Sequence, residues 1–211
     1  MPKLKDRLEL LPKVDEAFTE LKVNLDFSIK KNGMQSLAVL SGNAGEGRTT
    51  SCLNLAMAYA KAGKKVVVLD ADFRNPSTHV TFGDSNHVGL SKYLAKQAPY
   101  GDIVKNSAYP GLMYIPAGPS PLNAPEQLAS AEMDLLMQDL KQHFDVIVVD
   151  TPPAQKFIDA KIMAAKCDGV LLVMEYGKVR PAAAQRLKEE LTHAAAQLVG
   201  ILLNKVTVKN I

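Results

Sequence analysis

Cysteine is scarce in this 211-residue chain, at two residues, and neither sits in a CxxC pair or at ligand spacing from a histidine. Cys52 and Cys167 each fall inside an apolar helical pattern, so a disulfide scaffold and a zinc module are excluded. Both read as reduced core residues of a cytosolic protein. Long apolar runs are missing too. No stretch approaches the ~20 residues of a membrane span, and the opening MPKLKDRLELLPK lacks the apolar centre of a signal peptide. The expectation is a cytoplasmic chain without a membrane anchor of its own. A basic stripe is the third absence: the net charge is only +3 and the lysines are scattered, which argues against a nucleic-acid partner. Repeats and low-complexity segments are lacking as well.

What is present is ordinary for a packed soluble fold, with 47% hydrophobic and 22% charged residues. The length suits one such domain. Short apolar runs at 37–40, 65–70, 112–117, 145–150, 169–175 and 199–204 read as buried strands of a parallel sheet. Helical patterns lie between most of them. TTSCLNLAMAYAKAG puts Leu53, Met57 and Ala60 on one face and closes at Gly63, while AEMDLLMQDLKQHF and AAAQRLKEELTHAAAQ are amphipathic. This alternation predicts a doubly wound α/β fold with a mainly parallel sheet and helices on both faces. Residues 75–111 read as a less regular excursion over one sheet edge. Residues 1–35 form a separate helical block, with Val14, Phe18, Leu21 and Leu25 as an apolar stripe that packs on the core or on a neighbour; residues 36–211 form the main domain.

Three segments carry the chemistry. In SGNAGEGRTTS, Gly42 and Gly47 bracket Asn43, Ala44, Gly45 and Glu46 at the spacing of a phosphate-binding loop, followed by Arg48, Thr49 and Thr50. The loop follows a strand and opens a helix, so its glycines can turn backbone N–H groups onto phosphate oxygens at the positive helix end. Thr49 is placed to give its hydroxyl to Mg²⁺. In VVVLDADFRNP, Asp70 ends a strand and Asp72 follows two residues on. Such a pair suits a metal ligand, Asp70, and a base, Asp72, although either could instead cap the next turn. In DVIVVDTPP an apolar strand ends in Asp150, the Walker B arrangement in which a carboxylate holds a metal-bound water.

Together with AGPSPLNAPEQLAS, these segments resemble, in order and spacing, the bacterial tyrosine kinases (BY-kinases) of capsule and exopolysaccharide synthesis, a P-loop family, over about Glu16 to Lys205. The resemblance implies a tyrosine kinase using ATP and Mg²⁺, with Asp70 and Asp150 serving the metal and Asp72 as the catalytic carboxylate. It also implies that Arg74 positions loop or substrate and that Asn204 contacts adenine, a residue that suits a strand-end cap equally. The implied partners are a membrane-embedded polysaccharide co-polymerase that recruits the chain to the inner face of the membrane, and proteins carrying acceptor tyrosines. A sister branch, the partitioning and division-site ATPases, carries an early loop lysine that would fall at Asn43; its absence here ranks the kinase reading above an ATPase switch.

Three departures from the family pattern qualify this. Arg48 stands where the loop calls for lysine, and its longer planar fork is expected to preserve nucleotide binding while slowing transfer, by about two orders of magnitude if a contact of ~3 kcal/mol is lost. A non-catalytic adaptor is the alternative that follows. No tyrosine follows Tyr176, so the family's C-terminal acceptor cluster is missing from this chain. Of the family's E-x-x-R-x-x-R ring-forming pattern only Glu16 matches, with Thr19 and Lys22 at the arginine places, which leaves a homo-oligomer open.

Overall fold

The computed structural model describes residues 12–178 and 181–206. Helix α1 (Pro12–Asn32) precedes strand β1 (Ser36–Ser41), helix α2 (Arg48–Lys61) and strand β2 (Val66–Asp70). The excursion over the edge holds three short helices, α3 (Thr78–Phe82), α4 (Leu90–Leu94) and α5 (Tyr100–Ile103), and strand β3 (Lys105–Asn106). Strand β4 (Leu112–Ile115), helices α6 (Ala124–Ala129) and α7 (Ala131–His143), and strand β5 (Val146–Asp150) follow. The chain continues through helix α8 (Asp159–Lys166), strand β6 (Gly169–Glu175), helix α9 (Pro181–His193) and strand β7 (Leu198–Asn204).

The seven strands form one sheet in the order β3-β4-β2-β5-β1-β6-β7, parallel throughout except for β3. In β1, β2, β4, β5 and β6 the apolar runs are buried because helices cover both faces, whereas β7, expected to be buried, is an edge strand that leaves Ile201 and Leu203 exposed. Alternate side chains go to opposite layers: Leu37, Val39, Val66 and Val68 pack with α1 and α2, while Ala38, Leu40, Val67 and Leu69 pack with the helices of the other face. Both cysteines are buried and unpaired. Helix α2 is buried on nearly every side, more than its single apolar face suggests, since it lies between the sheet and α1. It stops at Gly63, whose φ of +80° is open to a residue without a Cβ.

Helix α1 uses its apolar stripe within its own chain. Leu25 joins the core cluster, with Phe18 and Leu21 against it, and Asp15 pairs with Lys61 of α2. Lys22 pairs with Asp26 at 2.7 Å and lies over the Tyr59 ring, so its charge too is spent locally. Phe27 and Val23 remain exposed.

The strand order decides where the chemistry collects. β2, β5 and β1 are neighbours, and Asp70 stands opposite Asp150 in the ladder, which in turn stands opposite Val39, near the end of β1. Three segments far apart in sequence therefore meet at the carboxyl edge of the sheet, where folds of this kind bind ligands.

Candidate functional site

The phosphate loop leaves β1 and turns at two left-handed glycines, Gly45 at φ +80° and Gly47 at φ +93°. Left-handed residues alternating with ordinary ones turn successive N–H groups to one side, the geometry of an anion nest. Glu46, buried, locks the turn from inside: its carboxylate accepts from the Asn43 amide at 2.9 Å and from Asn43 Nδ2 at 3.3 Å. Helix α2 then starts with no side-chain cap. By contrast α7 is capped by Ser130, whose hydroxyl accepts from the Met133 amide. An uncapped, glycine-led helix N-terminus is suited to an anion.

Arg48 does not point along the loop as a lone cation. Its guanidinium spans three partners, with Nη2 donating to Asp72 Oδ2 at 2.8 Å, Nε to Asp150 Oδ1 at 3.1 Å and Nη1 to Ser41 Oγ at 3.0 Å. All four residues are buried. Asp150 keeps one oxygen, Oδ2, with no hydrogen-bond partner among the described residues. Burial raises the Asp150 carboxyl above its ordinary range. Arg48 opposes that rise, the Asp70 charge adds to it, and the Thr49 hydroxyl, near but short of a well-formed hydrogen bond, lowers it.

Asp70 is likewise raised by burial, countered by its hydrogen bonds. Its Oδ2 accepts from the Thr78 hydroxyl at 2.6 Å and from the Thr78 and Ser77 amides, while Oδ1 accepts only the Asp72 amide at 3.0 Å. Asp72 Oδ1 accepts the amides of Arg74 and Asn75, so the carboxylate is fixed by its own turn and presents Oδ2 to Arg48. Both carboxylates therefore cap the turns that follow them, Asp70 with both oxygens and Asp72 with Oδ1 alone. Ser120, in the GPSPLNAPEQLAS segment, donates its hydroxyl to the Phe73 carbonyl and ties that segment to the same turn.

A cleft of about 730 Å³ is lined by the loop, Thr49, Thr50, Asp72, Arg74, Lys156, Phe157, Asn204 and Lys205, and the buried Asp150 and Asp70 reach it through their hydrogen bonds with Arg48 and the Asp72 amide. A second cleft, of about 650 Å³, lies around Tyr109 and Met113 and contains none of the motif residues. The first has the chemistry and is the candidate site.

Several partners of the residues named from the sequence were not evident from it. Arg74 forks onto Asp159 at the start of α8, at 2.8 and 3.2 Å, and lies 5.0 Å from the Phe157 ring centre. The Asp159 carboxylate is fully buried. An Asp opening a helix reads as a cap, and only the fold brings it to Arg74. Asn204 is at the loop: its Nδ2 donates to the Glu46 carbonyl at 2.9 Å. Gly42 and Gly47 are both closely approached, Gly42 by Gln155 and Gly47 by Asn204, whose Nδ2 would lie 1.9 Å from a Cβ at position 47. Among the described residues no cluster of three or more His, Cys, Asp or Glu forms a ready-made metal cage.

Comparison with known proteins agrees with this geometry. The family described as AAA domain matches residues 34–199. The tyrosine-protein kinase CpsD of Streptococcus agalactiae is 36% identical over 201 residues, covering 95% of this chain and 87% of that protein. The tyrosine-protein kinase YwqD of Bacillus subtilis is 34% identical over 189 residues, 90% of this chain and 80% of that one. Among solved structures, the kinase domain of the Escherichia coli tyrosine kinase ETK superposes with a TM-score of 0.86 at 26% identity, over 92% of this chain and 78% of that one. With the phosphate loop and its carboxylates gathered at one sheet edge, and relatives this similar over nearly the full chain, the protein belongs to the bacterial tyrosine-protein kinases.

Proposed function

We propose that this chain transfers the γ-phosphoryl group of Mg-ATP to protein tyrosine, in capsule or exopolysaccharide production, with a membrane-embedded modulator protein that brings it to the inner face of the cell membrane. The observation that carries the reading is the meeting of an uncapped phosphate loop with Asp72 on one cleft, with the buried Asp150 and Asp70 bonded to Arg48 and to the Asp72 amide.

The residues fit both the nucleotide and the metal. The loop amides and the N-terminus of α2 suit the phosphates, and Asn204, beside the loop, suits an adenine edge. Asp150 Oδ2, buried and without a partner among the described residues, and the nearby Thr49 hydroxyl would hold Mg²⁺, with Asp70 Oδ1 as a further oxygen beside them. When bound, the metal supplies charge compensation for the β- and γ-phosphates.

In the proposed step, the acceptor phenol oxygen bonds to the γ-phosphorus as the bond to the β–γ bridging oxygen breaks, the phenol proton passes to Asp72 Oδ2, and ADP leaves. Asp72 is suited to this because its other oxygen is held by two amides, which fixes the orientation of the acceptor atom. Arg74, fixed by Asp159, holds the cleft wall through Phe157. Arg48 must exchange its carboxylate partners for phosphate oxygens in the same step. That exchange is the physical reason to expect slower turnover than a lysine at this place would allow.

The test is to incubate the full chain with labelled ATP, Mg²⁺ and a tyrosine-containing copolymer, with and without the cytoplasmic tail of the modulator, and to separate phosphotyrosine from free phosphate. Phosphotyrosine is the expected product. Free phosphate alone would move the assignment to an ATPase switch, and neither product to a non-catalytic adaptor.

A further inference from the structure

The phosphate loop is held from one side by the residues at the end of β7, which none of the three motifs includes. Asn204 Nδ2 donates to the Glu46 carbonyl at 2.9 Å, and Lys205 Nζ donates to the Gly45 carbonyl at 2.7 Å. Lys205 is anchored in turn by Glu175 Oε2, at the end of β6, at 2.8 Å. Its backbone adopts a φ of +60°, a left-handed conformation uncommon for a residue with a Cβ, and this directs the side chain onto the loop while Asn204 occupies the neighbouring place.

Two consecutive side chains thus draw two consecutive carbonyls to the side of β7. In a trans peptide the carbonyl of one residue and the N–H of the next point in opposite directions. Holding the carbonyls of Gly45 and Glu46 toward the end of β7 therefore turns the N–H groups of Glu46 and Gly47 to the opposite side of the loop. Neither N–H is bonded to another described residue. The glycines alone would leave these peptides free to rotate, because a residue without a Cβ tolerates both hands of φ.

We infer that Lys205 is a positioning residue for nucleotide binding: anchored by Glu175 and working beside Asn204, it presets the phosphate loop with its amides facing the phosphates. The inference rests on the nucleotide-binding reading above. The opposite role, an exposed cation waiting to meet phosphate itself, is separated from it by sign. If Lys205 acts through the loop, removing the Glu175 charge loosens it and weakens binding. If Lys205 reaches the phosphates directly, removing Glu175 frees the ammonium and tightens binding.

The experiment is calorimetric titration of the full chain with Mg-ADP, for the parent and for Lys205→Met, Glu175→Gln and Lys205→Arg, together with steady-state kinetics in ATP. Lys205→Met should weaken ADP binding about three- to ten-fold, as expected for one charge-assisted bond near the surface. Glu175→Gln should weaken it in the same direction but by less, and Lys205→Arg should recover most of the loss. KM for ATP should rise with kcat unchanged, since a preset loop serves ground state and transition state alike. Unchanged affinity in Lys205→Met, or tighter binding in Glu175→Gln, would overturn the inference while leaving the nucleotide site in place. Failure of the parent to bind ADP would overturn the site itself.

Discussion

Replacing Arg48 by methionine probes the most unusual feature of the site. The substitution keeps the length and much of the volume of the stem but removes three donors. Asp150, fully buried, loses the partner of its Oδ1, and Asp72, 2% exposed, loses the partner of its Oδ2. Ser41 keeps a bond of its own, donating to the Asn43 carbonyl at 2.9 Å, so its share of the cost is small. Breaking a buried ion pair from one side costs about 3–5 kcal/mol, because the remaining charge is left without compensation. With Asp70 also close, the remaining carboxylates repel one another as well. For a chain of this size the loss corresponds to a fall in Tm of roughly 10 °C or more. Urea unfolding in EDTA, without nucleotide, measures the cost. The decisive arm is Arg48→Met combined with Asp150→Asn, which removes both sides of one contact: the double variant should be less damaged than the sum of the single variants by about 1–3 kcal/mol. A stability of Arg48→Met within about 0.5 kcal/mol of the parent, or strict additivity of the two changes, would refute the idea that the arginine holds these carboxylates together.

Gly47→Ala should lower Mg-ADP affinity, because position 47 sits at φ +93° and a Cβ there would lie 1.9 Å from Asn204 Nδ2, pushing that side chain off the Glu46 carbonyl. The left-handed strain costs about 1–2 kcal/mol of stability; calorimetry that finds the parent affinity in this variant would detach the loop from the phosphate site. At the other end of the sheet, Asp168 accepts from the Gln35 and Ser36 amides, the Ser36 hydroxyl and Lys141. Burial works to raise its carboxyl, but Lys141 and the amides outweigh that and hold it below its ordinary value. A lowered folded-state value means stability that is present above the ordinary aspartate pKa of about 3.9 and is lost as pH falls through the folded value. The stability gap between parent and Asp168→Asn should therefore close in acid, and a gap independent of pH would exclude this contribution.

Much of the architecture was legible because it is written locally. Strands buried on both faces become unbroken apolar runs, and β7 keeps one although it leaves Ile201 and Leu203 exposed, so six of the seven appear in the sequence within a residue or two of their ends, and the motif residues fall where the runs stop. β3, two residues long and antiparallel at the sheet edge, leaves no periodic trace. The short helices of residues 75–111 leave little more. The site itself was legible in parts and illegible in its pairings. Asp150 is visible as a strand-end carboxylate and Asp72 as one two residues past a strand end, but that Arg48 joins them, that Arg74 meets Asp159, and that Lys205 meets Gly45 depend on which strands are neighbours. The Arg48 substitution shows the limit clearly: sequence gives the charge and the length of the stem, while the fold decides that the fork is spent on the chain's own carboxylates.

The central claim is that Asp72 accepts the phenol proton in a site whose loop binds the nucleotide independently of that carboxylate. Single-turnover transfer from Mg-ATP to a tyrosine peptide, measured beside ATP affinity for the parent and Asp72→Asn, tests it most directly. The account predicts affinity within a few-fold of the parent and a loss of transfer of about 10²–10⁴-fold, the range for a removed general base. Transfer that survives in Asp72→Asn, or that falls only in proportion to a collapsed ATP affinity, would contradict it.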